Sequence, residues 1–219
     1  MSLRLLLLGA PGSGKGTVTS RLLRQLPSIH ALSTGDLLRR EIQNGSALGI
    51  QAKSTIAKGA LLPDSLMTSL VKQELKNTGW INESFLLDGF PRTLGQAKLL
   101  DTTLGESGHN INLVVELNVP IDVIVDRVCN RWIHPSSGRV YNLKYNPPKV
   151  TGKDDITGED LVQRQDDTEE TVRIRLNKYL EEVDALREYY KERGVWTSVS
   201  GETSDIVFPK LLKVVQDTL

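Results

Sequence analysis

The stretch "GAPGSGKGT" (Gly9–Thr17) limits what this chain can fold into more than any other. Gly12, Gly14 and Gly16 let backbone N–H groups approach an anion without a Cβ in the way, with Ser13 inside the same turn. Lys15 supplies a charge, and the helix that follows aims its positive end at the same point. The usual phosphate-loop pattern places Ser or Thr directly after the Lys; here Gly16 stands there and Thr17 comes one residue later. Upstream, "LRLLLLG" (Leu3–Gly9) is a nearly continuous apolar run with a glycine stop, as expected of a parallel strand buried on both faces. A strand, a glycine-rich loop, its Lys and a helix together point to a bound phosphate chain.

Similar apolar runs recur at Ile29–Ser33, Phe85–Asp88, Leu113–Leu117 and Val195–Val199. Helical patterns lie between them, at Arg92–Leu104, at Pro120–Arg131 with Pro in the first turn, and from Asp167 to Arg193. On the last of these, Val172, Leu176, Leu180, Val183, Leu186 and Tyr190 read as one apolar face. Alternating strands and helices predict a doubly wound parallel α/β sheet of five strands with helices on both faces. Two stretches break the alternation. Thr34–Pro63 reads as helices with no strand, and Asn130–Asp167 is rich in Gly, Pro, Asn and Asp. Both read as insertions able to move over the sheet.

Asp88 ends the third strand, at the carboxyl edge where such sheets bind ligands. A carboxylate there suits the water shell of Mg²⁺, with Thr17 doing part of the missing hydroxyl's job. Arg92 is expected to begin a helix and grip phosphate, with Gln96 one turn on to read an adenine edge. Arg127 and Arg131 are expected on one helix at i and i+4, with Arg164 before the long helix and Arg175 on it. An Arg on a helix is more often a solvated face; the alternative is a cationic cage around phosphate. His134-x-x-Ser137 and Asp154-x-x-Thr157 are spaced like the knuckles of a zinc ribbon, but Ser and Thr are poor zinc ligands. A hydrogen-bonded polar cluster without zinc is expected there.

With these motifs in view, the sequence resembles the adenylate kinase family over essentially its whole length. The matching stretches are "GAPGSGKGT", "STGDLLR", "LLDGFPRT", "RWIHPSSGRVYN", "NPPK" and "QRQDDTEETVRIRL". The family's phosphate loop also has Gly and then Thr after its Lys. The resemblance implies a core at 1–32, 63–129 and 168–219, a monophosphate-binding insertion at 33–62 and a small β-rich lid at 130–167. It implies Gly12, Ser13, Gly14, Lys15, Gly16, Thr17, Arg127 and Tyr141 for the triphosphate. For AMP it implies Thr34, Arg39, Leu62, Gly89, Arg92 and Gln96. Catalytic roles would fall to Lys15, Arg92, Arg127, Arg131, Arg164 and Arg175, with Mg²⁺ as cofactor. "GKGTV", "RWIHP" and "VSGETSDIVFPKL" resemble the branch in the mitochondrial matrix that uses GTP to phosphorylate AMP.

The expected reaction is reversible γ-phosphoryl transfer from GTP or ATP to AMP, with ADP formed. A GTPase switch would need an N-K-x-D segment, which the sequence lacks; a UMP or CMP kinase and a non-catalytic nucleotide-binding module are the other rivals. Composition bears on partners. The chain has 27 basic and 27 acidic residues and no net charge, so nothing steers it as a whole towards nucleic acid or an anionic membrane. Its longest apolar run is far too short to span a bilayer. A single cysteine, Cys129, excludes an internal disulfide and fits a reducing compartment. No targeting segment is readable, so the matrix assignment rests on resemblance, with the cytoplasm as alternative. Two opposed flaps around one cleft need no partner subunit, and a monomer is expected.

Overall fold

The computed structural model describes residues 2–57 and 60–219. The expected 33–62 insertion therefore includes two positions, 58 and 59, that lie outside the described residues. The strands are β1 (Arg4–Gly9), β2 (His30–Ser33), β3 (Phe85–Asp88), β4 (Leu113–Asn118), β5 (Arg131–Ile133), β6 (Val140–Asn142) and β7 (Trp196–Ser200). The helices are α1 (Lys15–Gln25), α2 (Thr34–Gln43), α3 (Ala47–Ala57), α4 (Asp64–Asn77), α5 (Leu94–Gly105), α6 (Ile121–Cys129), α7 (Glu169–Lys191) and α8 (Ser204–Thr218). Five strands form one parallel sheet in the order β2-β3-β1-β4-β7, while β5 and β6 form a separate antiparallel pair.

The leucine run of β1 explains why this strand is central. Leu3, Leu5 and Leu7 pack on one side with Val18 and Leu22 of α1 and Val207, Leu211 and Val215 of α8. Leu6 and Leu8 face the opposite layer with Val71 of α4, Leu100 of α5 and Leu186 of α7. Strand pleating sends alternate residues to opposite faces, so only a strand covered on both sides tolerates such a run. Strand order reverses around β1, whose neighbours are β3 and β4, and the crevice at that point opens beyond the carboxyl ends. Leu7 is in register with Asp88, so the glycine loop starts just beyond that carboxylate.

Three local expectations change. Helix α6 stops at Cys129 with Asn130 as its C-cap, and Arg131 opens β5. Arg127 and Arg131 therefore do not share a helix. Helix α5 starts at Leu94, so Arg92 precedes it and does not share a helical face with Gln96. The reason lies in Thr93-x-x-Gln96, a capping pair. The Thr93 hydroxyl accepts from Gln96 N at 3.1 Å, and Gln96 Oε1 reaches back to accept from Arg92 N at 2.8 Å. On α7, Leu180 is 49 % exposed, whereas Val172, Leu176, Val183, Leu186 and Tyr190 are buried. At about 100° per residue, Leu180 lies about 80° from Val172 and Tyr179 only about 20°. The buried face runs through Tyr179.

The 33–62 insertion supplies α2 and α3, which cross closely. A Cβ on Gly49 would lie 2.1 Å from the Glu41 carbonyl oxygen, a backbone atom unable to turn aside. We predict that Gly49→Ala costs about 1–3 kcal/mol through overpacking. Denaturant unfolding checks this; unchanged stability would show that the two helices separate freely.

Candidate functional site

The loop after β1 turns through Gly12 (φ +82°) and Gly14 (φ +90°), in a region that L side chains avoid. Gly12 has a second constraint, because a Cβ there would lie 2.4 Å from Val128 Cγ2 of α6. Gly16 and Thr17 are exposed at the start of α1, and no atom of the described residues lies within 4 Å of where a Gly16 Cβ would be. Lys15 Nζ folds back and donates to the carbonyls of Gly9 (2.8 Å) and Ala10 (3.0 Å). On this cleft floor burial pushes its pKa down to about 8, with Asp88 opposing the shift and Arg92 and Arg131 adding to it. The Asp88 carboxyl is pushed up by burial, although Lys15 and Arg92 pull the other way.

Further cations converge from α2, β5, α7 and the loops that hold Arg92 and Arg164. Arg92 donates through Nε to the Gly89 carbonyl at 2.7 Å, and burial depresses its pKa. Arg131 forms a two-pronged ion pair with the buried Asp167, and Arg175 pairs with Asp166. Arg39 pairs with Asp36. Arg164 is pushed down to about 10, first by burial and then by its like-charged neighbours Arg131 and Arg39. Its Nε is buried without a hydrogen-bond partner among the described residues. Cations crowded to the point of losing proton affinity form a site short of anions.

Beside this cluster lies a cavity lined by Leu38, Leu62, Met67, Phe90, Arg92 and Gln96. Gln96 is only 1 % exposed; its carbonyl is held by the cap, and its amide donors are the part left for a ligand. Gly89 (φ +76°) has Arg92 Nη2 and Thr34 Oγ1 about its Cβ position at 3.3 and 3.4 Å. The buried Thr34 hydroxyl donates to the Gly89 carbonyl at 3.0 Å, tying the start of α2 to this turn.

Arg127 reaches the loop from α6: its Nη1 lies 3.9 Å from where a Gly14 Cβ would be, while it donates to the Glu202 carbonyl and lies 4.9 Å from the Tyr145 ring centroid. Tyr141 is buried in the lid, where its hydroxyl donates to Asp154 Oδ1 (2.8 Å) and accepts from Asp155 N (2.9 Å). Both of these hydroxyl contacts are to residues of the lid. The counter-charges Asp36, Asp166 and Asp167 escaped the sequence reading. Spacing marks only Asp36, three residues before Arg39; Asp166 and Asp167 pair with arginines nine and thirty-six residues away.

The lid positions expected to form a polar cluster do so. His134 Nδ1 meets Ser137 Oγ at 2.7 Å, and Thr157 Oγ1 bonds Asp154 Oδ2 at 3.0 Å. Arg139 clasps Asp154 with two bonds of 2.7 and 2.6 Å. That clasp, with bonds from Thr157 and Tyr141, holds the Asp154 carboxyl far below the usual range. Glu159 completes the set by bonding His134 Nε2.

The adenylate kinase family model matches residues 7–195. The chain is 56 % identical to "GTP:AMP phosphotransferase, mitochondrial" of Saccharomyces cerevisiae over 97 % of this chain and 92 % of that protein. It is 44 % identical to "Adenylate kinase" of Vanderwaltozyma polyspora over 98 % of this chain and 96 % of that protein. For "Adenylate kinase" of Kluyveromyces lactis the identity is 41 % over 97 % and 93 %.

The depressed Lys15 generates a prediction. Below pH 8 its ammonium is charged in the free protein. Above that value the free protein loses the proton, and a bound polyphosphate must restore it. Affinity for inorganic tripolyphosphate should therefore be level below about pH 8 and fall above it, approaching tenfold per pH unit. Titration calorimetry across this range checks it, with Lys15→Met expected to bind weakly and without that step. A level profile in the unmodified protein would place the charge elsewhere.

Proposed function

The chain belongs to the adenylate kinase family, and from that membership we propose reversible transfer of the γ-phosphoryl group from GTP to AMP, with ATP as the alternative donor. That it is a phosphotransferase acting on nucleotides follows from the family. The choice of GTP is supported by the name of the 56 %-identical yeast relative. The same name supports the mitochondrial matrix as location, the cytoplasm being the alternative. The observation that carries the residue assignments is the cation cluster, with Lys15 at about 8 and Arg164 at about 10.

Such transfer needs positioning and charge stabilisation rather than a covalent nucleophile. In this reading the loop at Gly12, Ser13, Gly14 and Gly16 cradles the donor phosphates. Lys15, Arg92, Arg131, Arg164 and Arg175 neutralise the oxygens of the group in transit. Arg127 lies towards the base end of the donor. Arg39, Arg92, Thr34 and Gly89 hold the acceptor phosphate region, and Leu62 and Gln96 border its base. Asp88 suits a hydrated Mg²⁺, because burial raises its carboxyl even with two cations nearby. Asp88, through water, and Thr17 would hold the ion, which when bound supplies charge neutralisation between donor phosphates. Segments 33–62 and 130–167 act as flaps whose closure excludes water, which would otherwise accept the phosphoryl group. We expect a monomer.

Initial rates with four triphosphates against AMP, CMP, UMP and GMP test the donor and acceptor assignments. AMP with GTP should be fastest. Gln96→Leu should lower kcat/KM for AMP more than for CMP or UMP, because an edge-reading group penalises only the base it reads. An equal loss for all three would confine Gln96 to capping α5. The lid should hold no stoichiometric zinc, its cluster being satisfied by hydrogen bonds. Elemental analysis showing about one zinc per chain that survives mild chelation would overturn that.

A further inference from the structure

Glu116 is a carboxylate in the middle of β4, 6 % exposed, on a sheet face otherwise covered by apolar groups. Its strand neighbours Val115 and Leu117 point to the α1 and α8 side. Glu116 shares the other face with Val114, beneath α7. Helix α7 meets that layer in two apolar patches. Leu186 and Tyr190 pack with Val114, while Val172 and Leu176 pack with Ala10 and Val119. Between the patches, beside the buried Val183, lies a polar contact. Tyr179 Oη donates to Glu116 Oε1 at 2.8 Å, and Arg187 Nη2 donates to both carboxylate oxygens at 3.0 and 3.2 Å. Burial and the Glu116 charge push the Tyr179 phenol well above its ordinary value, so it stays a donor.

The geometry acts as a clamp. Tyr179 and Arg187 are eight residues apart, about 12 Å along the helix axis, and converge on one carboxylate. Sliding α7 along its axis would shorten one contact and stretch the other. Apolar packing alone is non-directional and permits small slides and rotations. Stability does not demand a carboxylate here, because a buried ion pair is often matched by well-packed apolar residues. What Glu116 adds is a fixed register. One helical turn before Tyr179, on the same side of α7, is Arg175, whose charge is felt at Arg92 in the cleft.

We propose that Glu116 is a positioning residue for phosphoryl transfer: by holding Tyr179 and Arg187 it fixes the height and rotation at which α7 presents Arg175 to the transferring phosphate. This rests on the assignment of Arg175 to the phosphate cage. Steady-state kinetics of Tyr179→Phe, Glu116→Gln, Glu116→Leu and Arg175→Ala, with Tyr179→Phe/Arg175→Ala as the double variant, test it. Tyr179→Phe keeps the ring and removes one hydroxyl, so it carries the test even if a Glu116 variant fails to fold. Its kcat should fall about tenfold, as expected for a misplaced cation, with both KM values within about twofold and little change in thermal midpoint. Glu116→Gln, which retains an acceptor for Tyr179, should keep more kcat than Glu116→Leu. In the Arg175→Ala background, Tyr179→Phe should change kcat by less than about twofold. The same loss in both backgrounds would overturn the inference while leaving Arg175 in the cage. A normal kcat in Arg175→Ala would overturn the cage assignment and the inference with it.

Discussion

Crowding of positive charge at the carboxyl edge of a parallel sheet is the constraint on which the rest of this structure turns. Arg39, Arg92, Arg131, Arg164 and Lys15 stand close enough to lower one another's proton affinity or to share the same carboxylates. Like charges brought together out of bulk water repel strongly unless a rigid frame holds them. The frame here is the two-sided core around β1, where leucines on alternate faces bind both helical layers to one strand. Asp36, Asp166 and Asp167 relieve part of the repulsion by pairing with Arg39, Arg175 and Arg131. The excess that remains is positive, the sign that favours an anion, and the family this chain belongs to acts on phosphorylated substrates.

The sheet was almost fully legible in the sequence. The expected runs at 29–33, 85–88, 113–117 and 195–199 fall within a residue of β2, β3, β4 and β7 at every end. Parallel strands buried on both faces must be continuously apolar, and few other elements look like that. Helix ends were less legible because caps decide them. Thr93 and Gln96 start α5 two residues after Arg92, and Asn130 ends α6 before Arg131. The capping pair was present in the sequence; reading Gln96 only as a base reader hid its structural half.

Within the site, the loop, Asp88, Arg92, Arg131, Arg164 and Arg175 converge and Arg127 borders the loop at Gly14, whereas the Tyr141 hydroxyl is bonded inside the lid although it shares a motif with Arg131. Charge partners across long sequence separations have no local signature. Arg131 finds Asp167 thirty-six residues away, and Tyr179 finds Glu116 sixty-three residues away. Glu116 also lies inside an apolar strand run, where pattern matching treats a single carboxylate as noise.

The lid shows how a polar interior can replace a different kind of staple. Segment 130–167 contains only one short antiparallel pair, so its apolar core is thin. Asp154 organises it instead, accepting from Arg139, Tyr141, Thr157 and the backbone at Ile156. Hydrogen bonds to a charged acceptor are the stronger kind, and the partners come from two stretches, Arg139–Tyr141 and Ile156–Thr157. Such a network is directional, so it fixes the turns of the segment relative to one another where apolar packing alone would leave them free to slide.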